Sequence, residues 1–303
     1  MPQRLTVDDV AGAVPGISCV SYVTTGGQKD VFRGTIDGAP WAVKFLRPIL
    51  QSTTPGATAG ASVNPVADDV TARAEREVNT MRECNTPHLV KVGPIGLQST
   101  RIAGDDWLYF TEEYIEGLTL SDIIAASGPL AIGDVVRLGL EMSQAIEALW
   151  QLDKIHRDIK PGNIMRRTNG GFVLLDMGLV FDLHGQSYSL GPVGTFVYFS
   201  PEQMDFANRR TVLDFRSDTF SLGIVLYQAA TGLHPFAHGA QNSWDIMNNI
   251  VRATPTPPRT HRQDIPLDLE AIILRLLAKR PALRYRRIRM LSDALQAVQF
   301  GGP

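Results

Sequence analysis

The hydrophobic period of this chain changes once along its length, and that change restricts the folds open to it. From Cys19 to Thr35 and from Trp41 to Leu46, short runs of Val, Tyr, Phe and Ile are broken by Gly26-Gly27 and Asp37-Gly38, the punctuation of β-hairpins. Further strands are expected over Leu89–Ile95 and Trp107–Thr111. After Gly117 the pattern turns helical, with helices expected over Leu120–Ala126, Ile132–Leu152, Asp218–Thr231, Leu267–Leu277 and Met290–Val298. The fold class is therefore α+β, with a small β-rich part, residues 1–112, and a larger, mainly helical part, residues 113–303.

Two segments of the first part break its strand pattern. Residues 48–66 are Ser, Thr, Pro, Gly, Ala and Asn with almost no large apolar side chain, the profile of a flexible insert. Ala72–Cys84 is charged and helix-favouring, with Val78 and Met81 three apart and Pro87 closing it, so one helix is expected there.

The charge balance excludes some partners. With 29 basic and 31 acidic residues the formal charge is -2, which gives no general attraction to nucleic acid or to an anionic membrane. The one basic run, Lys279–Arg289, reads as a solvated face, so no nucleic-acid partner is expected. Cys19 and Cys84 have no CxxC or Cys/His spacing and read as free thiols in a reducing compartment. Neither a secretory leader nor an apolar run long enough to span a bilayer is visible, and a cytoplasmic location is expected.

The chemistry lies in spacing. HRDIKPGNIM, His156–Met165, taken alone is an ordinary polar loop. Asp158 and Asn163 lie five apart, however, and Asp176 follows at the end of the apolar run Phe172–Leu175, beside a glycine. An acid at the end of a buried strand is a better metal ligand than one on a helix face, and Asn with Asp supplies the hard oxygens magnesium prefers. Lys44, in a strand, and Glu77, on the expected helix, complete the set that phosphoryl transfer needs.

In this order these residues resemble the catalytic domain of the eukaryotic-type (Hanks-type) serine/threonine protein kinases, from about Tyr22 to Val298. VFRG at Val31–Gly34 is similar to the end of the glycine-rich hairpin, AVK with Lys44 to the phosphate-binding strand, His156-Arg157-Asp158 to the catalytic loop and Asp176-Met177-Gly178 to the metal-binding triplet. Gly194-Thr195 with Ser200-Pro201-Glu202 resembles the end of the activation segment, and SDTFSLG at Ser217–Gly223 the helix that anchors the catalytic loop through Asp218.

The resemblance implies a bilobal fold, ATP and Mg2+ as cofactors and a protein serine or threonine as acceptor. It implies catalytic roles for Asp158, Lys160, Lys44 and Glu77, and magnesium ligation by Asn163 and Asp176. Nucleotide contacts would come from Gly26, Gly27, Lys29, Val31, Ala42, Lys44, Glu113 and Met165, and Arg284 would pair with Glu202. Arg157 beside Asp158 implies control by phosphorylation of Ser187, Tyr188, Ser189 or Thr195, with self-association for trans-autophosphorylation.

The pattern also departs from the family. Counting back from Val31, the three nucleotide-loop glycines fall at Thr24, Gly26 and Lys29, so one is kept. Lys29 either meets a phosphate oxygen or points into solvent. Glu112 falls at the back of the adenine pocket, where a carboxylate is costly to bury unpaired, unless a one-residue shift puts Thr111 there. An active kinase is the leading reading; a pseudokinase-like nucleotide-binding or scaffold module with weak or no transfer is the alternative.

Overall fold

A computed structural model describes residues 4–26, 29–47, 65–182, 193–209 and 213–299. The chain forms two compact units, one from Met1–Arg82 with Val90–Tyr114 and the other from Glu83–Leu89 with Ile115–Pro303.

The first unit is built on a five-stranded antiparallel sheet. Helix α1 (Val7–Ala13) precedes β1 (Ser18–Gly26), β2 (Lys29–Ile36) and β3 (Ala39–Leu46); α2 (Pro65–Glu83) follows, then β4 (Gln98–Ile102) and β5 (Asp105–Glu113). The strand order is β1-β2-β3-β5-β4. Directly opposed residues share a face, so the register separates two environments. One face carries Phe32, Val43, Phe45, Trp107 and Tyr109, buried with Leu5, Val10 and Val14 of the α1 segment. Phe45 stacks on Tyr109 at 5.2 Å and meets Phe32 edge-on, so truncating it to Ala should cost about 3–5 kcal/mol. The other face carries Val31, Lys44 and Phe110, with Ala42 opposite Glu112.

Helix α1 was not expected from the sequence. Its start is a capping box in which the Asp9 N–H donates to Thr6 Oγ1 and the Thr6 N–H donates to Asp9 Oδ2. The strand expected over Leu89–Ile95 is not formed; only isolated bridges at Leu89 and Val92 occur there. Gly93, Pro94 and Gly96 interrupt any ladder, and the backbone of 93–95 instead bonds with Thr111. The strand lies later, over the polar QSTRI of β4. Helix α2 begins at Pro65, so the last two residues of the expected insert are helical, and residues 48–64 lie outside the described residues.

The second unit holds β6 (Gly117–Thr119), α3 (Leu120–Ser127), α4 (Ile132–Trp150), β7 (Lys154–Ile155), β8 (Ile164–Arg167), β9 (Phe172–Leu174), β10 (Phe181–Asp182), α5 (Pro201–Arg209), α6 (Phe215–Thr231), α7 (Ser243–Arg252), α8 (Leu267–Leu276) and α9 (Ile288–Gln296). Strands β6-β8-β9 form one small sheet and β10-β7 another. Gly117 is required where β6 meets β8, because a Cβ there would stand 1.9 Å from the Arg166 carbonyl oxygen. Helix α6 is buried nearly all round, polar Ser217, Asp218, Thr219 and Ser221 included, and is the axis of this unit, packed by α4 and α8. Helices α5 and α7 were not expected from the sequence, although Asn242 caps α7 by accepting the Asp245 N–H; of the α7 side chains only Ile250 is fully buried.

Candidate active site

In the first unit the strand register gathers a charge cluster. Lys44 faces Val31 on β2 and Phe110 on β5, while Ala42 faces Glu112, so Glu112 lies on Lys44's face and diagonal to it. Lys44 Nζ is 3.1 Å from Glu77 Oε1 on α2 and 2.8 Å from Glu112 Oε2. Lys29, opposite Leu46 on the same face, has its Nζ 2.7 Å from Glu77 Oε2. Burial, reinforced by the nearby Glu77 charge, pushes the Glu112 carboxyl above its usual range, with Lys44 pulling the other way.

This geometry removes two alternatives. Thr111 faces Val43 on the opposite side, where its hydroxyl donates to the Ile95 carbonyl and accepts the Ile95 N–H, so Glu112 and not Thr111 stands beside Lys44. Lys29 is not a solvent-directed tip residue; its side chain is 19% exposed and engaged with Glu77. The partner of Glu112 was not foreseen, although counting by twos along β5 from the residue opposite Lys44 finds it. Val31 is half-buried and Ala42 buried on this face. Glu113 faces Trp41, and its N–H donates to the Lys91 carbonyl. Gly26 pairs with Lys29 at the end of β1; Gly27 lies outside the described residues.

In the second unit the loop His156–Asn163 is bound on all sides. The N–H groups of His156 and Arg157 donate to Asp218 Oδ2 at 2.7 Å and Oδ1 at 2.8 Å, and Gln203 donates to the Arg157 carbonyl. His156 is buried; its Nδ1 accepts from the Asp158 N–H, so its Nε2 carries the proton donated to the Leu175 carbonyl. The loop thereby fixes Asp158 between its neighbours. Lys160 Nζ donates to Asp158 Oδ2 at 2.9 Å, and Asn163 Nδ2 donates to the same oxygen and to the Asp158 carbonyl. The second carboxylate oxygen, Oδ1, is buried and has no hydrogen-bond partner among the described residues. Burial pushes the Asp158 carboxyl up to about 6, with Lys160 opposing and the Asp176 charge adding to the rise.

Asp176 is tied to this loop through its strand, where the Leu175 N–H donates to the Asn163 carbonyl. Its backbone is left-handed, φ 61°, and its Oδ1 accepts from the Gly178 N–H. Met165 is half-buried on β8, opposite Val173. Ser187, Tyr188 and Ser189 lie outside the described residues, as does the Thr195 side chain, while its backbone falls in a 3-10 turn.

Residues 58–297 match the protein kinase domain family. Similar curated proteins include a serine/threonine-protein kinase PknB of Mycobacterium leprae, 33% identical over 76% of this chain and 36% of that protein. Another, PknB of Mycolicibacterium smegmatis, is 34% identical over 71% of this chain and 34% of that protein. A probable serine/threonine-protein kinase of Clostridium perfringens is 30% identical over 77% of this chain and 32% of that protein. The chain thus spans about a third of the length of these relatives.

Proposed function

This chain belongs to the protein kinase domain family, and we propose that it transfers the γ-phosphoryl group of ATP to serine or threonine hydroxyls of proteins. The observation that carries this reading is Asp158 Oδ1, a buried carboxylate oxygen without a partner on a residue whose other oxygen is fixed by Lys160 and Asn163. An orphaned buried acceptor is costly, and an incoming hydroxyl donor relieves it.

The donor set fits MgATP. Asn163 turns its amide nitrogen to Asp158, which leaves its carbonyl oxygen as a hard ligand, and Asp176 adds a carboxylate on the adjoining segment. Bound MgATP supplies the electrophilic phosphorus and the cation that neutralises its oxygens. Asp158 orients the acceptor hydroxyl and takes its proton late, since the transition state is loose and positioning outweighs base strength. Lys160, 2.9 Å from Asp158, brings positive charge to the oxygens of the moving group. Lys44, held by Glu77, directs charge to the nucleotide phosphates. Val31, Ala42, Glu113 and Met165 contact the nucleoside, and Gly26 and Gly27 border its phosphates.

Transfer is favoured over a scaffold role because the Lys44–Glu77 pair and the Asp158–Lys160–Asn163 set are both assembled. Lys160 and the names of the relatives support serine or threonine as acceptor. Trans-autophosphorylation through self-association and action in the cytoplasm belong to the same reading. No helix among the described residues is long and apolar enough to cross a membrane. Incubation with γ-labelled ATP, magnesium and a generic protein substrate should label the substrate with the wild type and not with Asp158→Asn; equal labelling would overturn the assignment of Asp158.

A further inference from the structure

Residues 271–292 hold seven lysines and arginines and no aspartate or glutamate, in a chain whose formal charge is -2. Three of the seven cations are committed to the fold. Arg284 is buried on Glu202, Lys279 Nζ donates to the Ile250 carbonyl at 2.6 Å, and the Arg275 guanidinium lies 4.2 Å from the centre of the Tyr285 ring. The other four, Arg280, Arg286, Arg287 and Arg289, are exposed, and among the described residues no hydrogen bond or ion pair holds their guanidiniums. Arg166, Arg216 and Arg262 of the same unit differ, each lying 2.7, 2.5 and 2.8 Å from a carboxylate. Asp293, four residues beyond Arg289 on α9, forms no ion pair with it. Arg284, Tyr285 and Ile288 are buried, so the residues beside them face outward, and with the four arginines stand two apolar side chains, Leu283 at 60% and Met290 at 43% exposure. Charges of one sign set this closely repel one another, a cost that an anionic partner removes.

We propose that this edge of the second unit, residues 280–290, docks on an anionic phospholipid surface. Guanidinium groups meet phosphate oxygens bidentately, and each basic side chain near an anionic leaflet strengthens binding about 5-fold. Leu283 and Met290 add what a purely electrostatic contact lacks, apolar side chains that enter the boundary between headgroups and acyl chains. Two features favour lipid over an acidic protein. No neighbour holds the four guanidiniums, so a partner of fixed shape must order each of them, whereas headgroups diffuse to meet them. The run also exposes no aromatic anchor of the kind that dominates protein interfaces, since Tyr285 is buried. The same absence removes the stacking platform of single-stranded nucleic acid, and a duplex phosphate backbone offers nothing to Leu283 and Met290. The inference goes beyond phosphoryl transfer and does not depend on it, because it concerns the surface on which the chain works and not the reaction.

The experiment is sedimentation of the full chain with vesicles of phosphatidylcholine alone and of phosphatidylcholine with phosphatidylglycerol in equal parts, at low and high salt. The chain as a whole is not positively charged, so any preference for the anionic vesicles comes from a local surface. The wild type should bind the anionic vesicles and not the neutral ones, and should bind less as salt rises. Replacing all four arginines by Gln should lower that affinity at least about 100-fold, and Arg286→Gln with Arg287→Gln about 20-fold. A matched pair of exposed cations elsewhere, Arg101→Gln with Arg137→Gln, should change it less than about 2-fold. Leu283→Asn with Met290→Gln should cost about tenfold, a loss that persists at high salt. Thermal melts identify any variant that fails to fold; if the fourfold variant does, the paired variants decide alone. A wild type that ignores anionic vesicles, or equal losses in the two matched arginine pairs, overturns the proposal. Soluble polyglutamate or duplex DNA binding as tightly as the vesicles, with the same dependence on the arginines and none on Leu283 and Met290, overturns it in favour of an acidic partner or nucleic acid.

Discussion

Asp218 holds Arg157 in a left-handed backbone conformation: Arg157 has φ 68°, and its N–H donates to Asp218 Oδ1 at 2.8 Å while Oδ2 takes the N–H of His156. One buried carboxylate thus fixes the strained turn that presents Asp158, the next residue. Asp218→Asn replaces one acceptor oxygen with an NH2 group facing an N–H donor. We expect it to lower stability by about 1–3 kcal/mol and kcat by at least about tenfold, with little change in KM for ATP. Urea unfolding and steady-state kinetics check this, and unchanged kcat would show that the clamp does not position Asp158.

Asp158 should titrate near pH 6, since burial holds its carboxyl up to about 6 against an ordinary value of 3.8. The transfer reaction needs the ionised form, so kcat/KM should fall as pH drops through 6. For stability the sign is opposite. The folded state holds this proton more tightly than the unfolded chain, so the contribution is fully present below 3.8 and is lost as pH rises to about 6. Asp158→Asn should accordingly gain stability relative to the wild type between those limits. Asp218 is also raised to about 6 by burial, so the two must be separated by carboxyl carbon NMR, with Asp158→Asn identifying its signal. A wild-type Asp158 resonance titrating near 4 would contradict the reading.

The sequence made the catalytic loop legible because its residues lie within eight positions of one another and its polar types have few other uses together. His156, Asp158, Lys160 and Asn163 meet in the structure through contacts two to five residues long, and Asp176 follows from the strand that ends beside them. The charge chain of the first unit was harder to see. Lys29 and Glu77 are 48 residues apart, and their meeting depends on the register of β2 and the rotation of α2, neither of which composition reveals. The missing strand at Leu89–Ile95 has a different cause, since its apolar residues serve isolated bridges and a Thr111 hydroxyl instead of a ladder. Helix α1 was overlooked although Thr6 and Asp9 spell a capping box and Val7, Val10 and Val14 fall at helical spacing, because seven residues are too few for that period to stand out.

Arg284 should be the most costly charged residue to truncate in the second unit. It is 1% exposed and meets Glu202 through two bonds, at 2.6 and 2.9 Å, while donating further to the carbonyls of Arg216, Ala278 and Lys279. Arg284→Met leaves the Glu202 carboxylate buried with the Ser217 hydroxyl as its remaining hydrogen-bond donor among the described residues, and should cost about 3–5 kcal/mol. Adding Glu202→Gln should recover part of that loss, because the stranded charge is gone. Chemical denaturation of both variants provides the comparison, and a double variant no more stable than Arg284→Met would show that packing, not charge, dominates.

The hairpin of β1 and β2 keeps its shape with one of three loop glycines because side chains hold it. Thr25 and Asp30 face each other across the hairpin, and the Thr25 hydroxyl donates to Asp30 Oδ1 at 2.6 Å. Arg47, past the end of β3, donates from one nitrogen to Thr25 Oγ1 at 2.5 Å and to Asp30 Oδ1 at 3.2 Å. Asp30 has no exposed surface and its Oδ2 has no hydrogen-bond partner among the described residues, and the guanidinium that meets its Oδ1 is itself 30% exposed. Two effects therefore compete in Arg47→Ala. The ion pair alone is partly screened and is worth about 1 kcal/mol or less, but the carboxylate that stays behind is buried, and stranding it costs about 3 kcal/mol or more. The second effect should win, so Arg47→Ala should destabilise more than Asp30→Asn, which keeps an acceptor for Thr25 without the charge. The double variant should lie closer to Asp30→Asn than to the sum of the two. Denaturant midpoints of the three proteins decide the order, and additive losses would mean that Arg47 and Asp30 act independently and that the hairpin is held by its strand register alone.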